Sequence, residues 1–120
     1  MSNFMEIVVN HPSLRMMGAE LIEDCSDFAR IRIELPLDNY GSGGPVRACM
    51  EYRYDKKNLS LQGRIYPEEG RSFSTIGKKL SFDSCGHTAY LLSEIMEGSG
   101  VPVSSYTVHS VAEGLDTEAA

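Results

Sequence analysis

Residues 28–67 read as strand, loop, strand, turn and strand, and this narrows the fold more than any other feature of the chain. In "FARIRIELPLD" Ile31, Ile33, Leu35 and Leu37 alternate with Arg30, Arg32 and Glu34. In "VRACMEYRYD" Val46, Ala48, Met50, Tyr52 and Tyr54 alternate with Arg47, Cys49, Glu51 and Arg53. In "LSLQGRIYP" Leu59, Leu61 and Ile65 alternate with Ser60, Gln62, Arg64 and Tyr66, and Pro67 ends the run because proline cannot donate to a ladder. A period of two marks a half-buried strand with one apolar and one polar face. "NYGSGGP" (39–45) is a flexible connection, and the basic "DKKN" is a tight turn. The three runs therefore make an antiparallel meander.

The flanks are expected to complete an α+β domain. "FMEIVVN" (4–10) is apolar and β-branched, and reads as a strand. Over 11–25, Leu14, Met17, Leu21, Ile22 and Cys25 fall at helical spacing behind Pro12, which predicts a helix; the alternative is a short helix ended by Gly18 with "AELIED" as a strand. Residues 68–84 read as one or two short strands around "SFSTI" and "KLSF". A helix over about 85–97 follows, capped by Asp83 or Ser84 and closed by Gly98. "VPVSSYTVHSVAE" (101–113) is a last strand, and 114–120 a flexible acidic tail. The expectation is a single domain over 1–113: an antiparallel sheet of four to six strands, with one or two helices on its apolar face.

The chain has 120 residues, enough for one domain to bury a core without covalent staples. Cys25, Cys49 and Cys85 are odd in number, widely spaced and without a CxxC pair, which points to reduced thiols in a cytoplasmic setting rather than a secreted disulfide scaffold. The first residues lack the basic and apolar regions of a signal peptide, and no run approaches the ~20 apolar residues of a membrane span. Net charge is −6 but uneven: residues 44–82 carry eight basic and four acidic side chains, whereas 83–120 carry six acids and no Lys or Arg. Such asymmetry steers partners without defining a fold.

Three chemistries can be drawn from the residues. The first is a thiol. A cysteine in the first turn of a helix gains from the helix dipole, so Cys85 with His109, and Asp116 behind it, is a candidate cysteine-hydrolase set. Against it, Cys85, Ala89, Leu92 and Met96 form one apolar helical stripe, which makes Cys85 a core residue. The second is a metal site on Cys85 and His87, with Cys25, Cys49, His11 and His109 as further donors; these lack the paired short spacing of structural zinc ligands, so no metal or other cofactor is expected. The third is the polar face of the meander, which gathers Arg30, Arg32, Arg47, Arg53, Arg64 and Tyr66. Arginine and tyrosine are the usual anchors of protein interfaces. Cross-strand pairing of these arginines with Glu34 and Glu51 on a solvated face is the plainer reading. A single-stranded nucleic-acid platform needs stacking aromatics there, and Tyr66 is the clear candidate.

No GxGxxG, HExxH, GxSxG or Walker lysine occurs, and "YGSGGPV" joins two strands rather than a strand and a helix. The expectation is a small non-enzymatic protein that binds another protein, of the inhibitor, immunity, chaperone or phage anti-defence adaptor kind. The alternatives are single-stranded nucleic-acid binding on the Arg/Tyr face, and a cysteine hydrolase using Cys85 and His109. No membrane partner is expected, and the sequence does not fix an oligomeric state.

Overall fold

A computed structural model describes residues 4–41, 44–112 and 115–118. In chain order the elements are α1 (Phe4–Val9), α2 (Pro12–Met16), β1 (Glu20–Asp24), β2 (Phe28–Gly41), β3 (Gly44–Asp55), β4 (Ser60–Pro67), α3 (Thr75–Gly98), β5 (Ser105–Ala112) and β6 (Leu115–Glu118). The fold is α+β. Six strands form one sheet in sequence order, β1-β2-β3-β4-β5-β6.

The alternating core of the sequence folds as it reads. β2 and β3 pair antiparallel with Ile31 opposite Tyr52 and Ile33 opposite Met50, and β3 and β4 pair with Met50 opposite Ile65 and Tyr54 opposite Leu61. All of these residues are buried. Register slips occur between Leu35 and Asp38, where Pro36 has no N–H to give to the ladder, and again between Asp38 and Gly41. Both strands run further into the glycine-rich segment than expected; Ser42 and Gly43 lie outside the described residues. The turn after β3 is set by Asp55, whose Oδ1 accepts from the backbone N–H groups of Lys57 (2.8 Å) and Asn58 (2.9 Å). Those bonds stabilise the ionised carboxylate and lower its pKa.

The sheet is mixed, which corrects the expectation of an antiparallel one. β5 lies parallel to β4, with Gly63 beside Val108 and Arg64 beside His109. Helix α3 is the crossover that parallel neighbours require. Leu115–Glu118, expected within a flexible tail, pair antiparallel with β5.

Other differences have physical causes. Residues 4–9 are a helix, not a strand: Met5, Val8 and Val9 are buried at spacings of three and four, and packing outweighs their β propensity. The helix expected over 11–25 stops at Met16. Pro12 opens it, the His11 imidazole accepts from the Ser13 N–H (3.1 Å), and Gly18 at φ +74° closes it. β1 follows, with a register shift between Leu21 and Glu23; that irregularity and its acidic residues blunt the edge of the sheet.

The largest difference is the start of α3, where short strands were expected. Ser74 is the N-cap, its Oγ accepting from the Gly77 N–H at 2.9 Å, so Asp83 and Ser84 are mid-helix and cap nothing. The inward ridge of the first turns is Gly77, Ser81 and Cys85, small and weakly apolar, while Ile76 and Leu80 face out. A helix whose buried side is small and whose exposed side is apolar hides its period. At the other end Gly98 is still helical, and Gly100, at φ +92°, takes the left-handed position. The Gly100 N–H donates to Glu97 (3.1 Å) and the Val101 N–H to Met96 (2.8 Å), which closes the helix by a Schellman pair and tucks Val101 into the core.

The core lies between one sheet face and the helices. Ile31, Ile33, Met50, Tyr52, Leu61 and Ile65 meet Cys85, Ala89, Leu92 and Met96, each large aliphatic contributing about 1.5–3 kcal/mol by leaving water. Tyr52 crosses from sheet to helix. Its ring lies over Gly63, its neighbour on β4, and its hydroxyl donates to the Cys85 carbonyl at 2.8 Å.

Candidate functional site

Placing α3 on one side leaves the opposite face of the sheet to the polar half of the alternation. Three cross-strand rows follow from the register. Arg30, Arg53, Gln62 and Thr107 form one; Arg32, Glu51, Arg64 and His109 form the next; Glu34, Cys49 and Tyr66 form the third. Among the described residues no helix covers this face, and Arg47, Arg53, Gln62 and Arg64 are exposed on it. The residues singled out from sequence, Arg30, Arg32, Arg47, Arg53, Arg64 and Tyr66, thus share one surface.

Their electrostatic situations differ. Arg30 is held by Glu23 (3.1 Å) and Glu51 (3.8 Å), and Arg47 by Glu34 (3.3 Å). These are partly exposed pairs, each contributing no more than about 1 kcal/mol. Arg32 donates from Nε to Cys49 Sγ at 3.3 Å, a contact that raises the arginine's already high pKa. Tyr66 stands beside Cys49 in the register, and burial, with Cys49 next in importance, pushes its phenol up. Cys49 is on the outward side as expected, yet it is only 6% exposed. Arg53 lies over the Phe28 ring, 3.8 Å from its centroid. Arg64 makes no ion pair among the described side chains.

A shallow depression of about 230 Å³ opens at the middle of the face, lined by Arg30, Glu51, Arg53, Gln62, Arg64 and His109. Three guanidinium groups and one carboxylate leave it positively charged. His109 enters through β5, and its place beside Arg64 depends on the parallel pairing, which the sequence did not reveal. Phe28 was also missed, although it shares the parity of Arg30 and Arg32.

The thiol candidates are separated. Cys85 is fully buried on the helix side of Gly63, whereas His109 belongs to the row of Arg64 on the other face. Burial pushes the Cys85 thiol up to about 11, and its place in mid-helix removes the end-of-helix dipole. This geometry corrects the Cys85–His109 pairing. The side chain of Asp116 is outside those described. Cys85 and His87 point to opposite sides of α3, one buried and one exposed, so they cannot share a metal. Among the described residues no three His, Cys, Asp or Glu side chains gather as a metal site, and no helix is long and apolar enough to cross a membrane. Cys25 is exposed and all three cysteines are unpaired. No protein-family model, no curated protein and no solved structure matches the chain.

Proposed function

We propose that this is a non-enzymatic binding protein whose helix-free sheet face docks another protein. The observation that carries the reading is the contrast among its arginines. Arg30 and Arg47 are ion-paired within the chain, while Arg53 and Arg64 stand beside a depression and make no close ion pair among the described side chains, Asp55 and Glu51 acting on them only from further off. A solvated face built only for ion pairing has no need of that surplus. Arginine held over an aromatic ring is already ordered, so it loses less freedom when a partner arrives. Unpaired cysteines fit a cytoplasmic setting. An inhibitor, immunity protein, chaperone or phage anti-defence adaptor would each use such a surface.

Nucleic acid is a weaker fit. Besides the His109 imidazole, Tyr66 and Phe28 are the aromatics of the described face, and the Phe28 ring is already covered by Arg53. In the hydrolase alternative His109 lies on the sheet face opposite the Cys85 thiol. The test is capture of the partner from host lysate with the parent protein and with Arg53→Glu/Arg64→Glu, each with and without nuclease. The expected result is a stoichiometric protein that survives nuclease and is lost with the folded double variant. A partner retained by that variant places the interface elsewhere, and retention that nuclease abolishes supports the nucleic-acid reading.

A further inference from the structure

We infer that the depression is a carboxylate subsite, and that the partner presents a segment rich in Asp or Glu to this face; the inference rests on the reading above. Arg53 stands opposite Gln62 and Arg64 opposite His109, so the two arginines lie on a diagonal whose backbone positions are about 7–8 Å apart. One carboxylate fits between two side chains so placed. The donors that converge there suit it: guanidinium forks match carboxylate geometry, and the Gln62 amide adds a neutral donor. Arg30 stands directly opposite Arg53, a like-charge juxtaposition that is unfavourable until an anion arrives. Glu51 relieves Arg30 at 3.8 Å, whereas Arg53 rests on the uncharged Phe28 ring and meets Asp55 only at longer range, without an ion pair.

Size and shape select the source of the carboxylate. A depression of about 230 Å³ open to solvent is below the ~300–1,000 Å³ typical of pockets that enclose a small ligand. It suits one side-chain group delivered by a larger partner. A polynucleotide needs a track of cations along its backbone; here one cluster is hemmed by Glu23, Glu34 and Glu51.

The experiment measures fluorescence anisotropy of a labelled octaglutamate peptide at low salt. Parent, Arg53→Gln, Arg64→Gln and Arg47→Gln proteins are titrated after circular dichroism confirms that each is folded. Saturable binding should weaken about tenfold or more in Arg53→Gln and Arg64→Gln, because each loses a charge-assisted hydrogen bond, and less than about twofold in Arg47→Gln. Absence of saturable binding, or equal loss in all three variants, overturns the subsite. Tighter binding of a labelled oligothymidylate assigns the face to a phosphate backbone, and displacement of the peptide by millimolar inorganic phosphate assigns the depression to a free oxyanion; either result overturns the acidic-segment inference. If the peptide fails while the captured partner is still lost with Arg53→Glu/Arg64→Glu, the acidic chemistry is wrong and the interface stands. If that variant keeps its partner, the interface itself is wrong.

Discussion

Replacing Gly63 with alanine would put a methyl group 2.5 Å from Cε1 and 2.8 Å from Cδ1 of Tyr52, closer than carbon atoms pack. The ring has little room to retreat: Tyr52 is 1% exposed, and its hydroxyl is tied to the Cys85 carbonyl at 2.8 Å. In an open strand the same change would stabilise by about 0.5–1 kcal/mol, because glycine loses the most backbone freedom on folding. Here overpacking costs about 1–3 kcal/mol, and pulling the hydroxyl off its acceptor adds about 1 kcal/mol. The clash outweighs the entropy gain, so Gly63→Ala should destabilise by about 1–3 kcal/mol. For a chain of this length that lowers Tm by about 4 °C per kcal/mol. Urea unfolding followed by circular dichroism gives the free energy, and it should be repeated in a Tyr52→Leu background. With the ring gone, the cost of Gly63→Ala should vanish or turn into a gain of up to about 1 kcal/mol. A Gly63→Ala protein as stable as its parent, or an equal cost in both backgrounds, would refute the argument that the tyrosine ring occupies the glycine's missing side chain.

Three further outcomes follow from the core and the thiols. Ser81 is fully buried and its Oγ has no hydrogen-bond partner among the described residues, so Ser81→Ala should leave stability unchanged or raise it by up to about 1 kcal/mol in urea unfolding; a clear loss would reveal an acceptor for that hydroxyl. Burial raises the Cys85 thiol from 9.0 to about 11, so above pH 9 the unfolded chain releases a proton that the folded one keeps. Stability should therefore fall as pH rises from about 9 to about 11, by up to about 1.4 kcal/mol per pH unit from this group, and Cys85→Ala should flatten that limb even if it lowers the whole curve. Iodoacetamide should label Cys25 in the native protein and all three cysteines after denaturation; rapid native labelling of Cys85 would contradict its burial and reopen the thiol chemistry.

The legible part of the sequence was the part with a period. From Phe28 to Pro67 each apolar residue of the alternation that is described lies on or at the edge of the helix side, and the arginine face is legible in the sequence alone. Two things obscured the rest. The first turns of α3 bury Gly77 and Ser81 and expose Ile76 and Leu80, which inverts the usual signal and made them read as strands. At the N-terminus, six residues carry too few turns for periodicity to outweigh the β-branched content of Ile7, Val8 and Val9. The site shared this limit. Which residues face outward follows from parity, but which stand side by side follows from register. The pairing of Arg64 with His109 came only with the parallel β4–β5 pair.

The measurement that tests the central claim most directly is site-specific photo-crosslinking in the host cell. A photoreactive phenylalanine derivative is placed at Gln62, on the helix-free face, or at His87, on the exposed side of α3. A protein adduct is expected from Gln62 and none from His87. An adduct from His87 alone would show that the partner docks on the helices and would contradict the account.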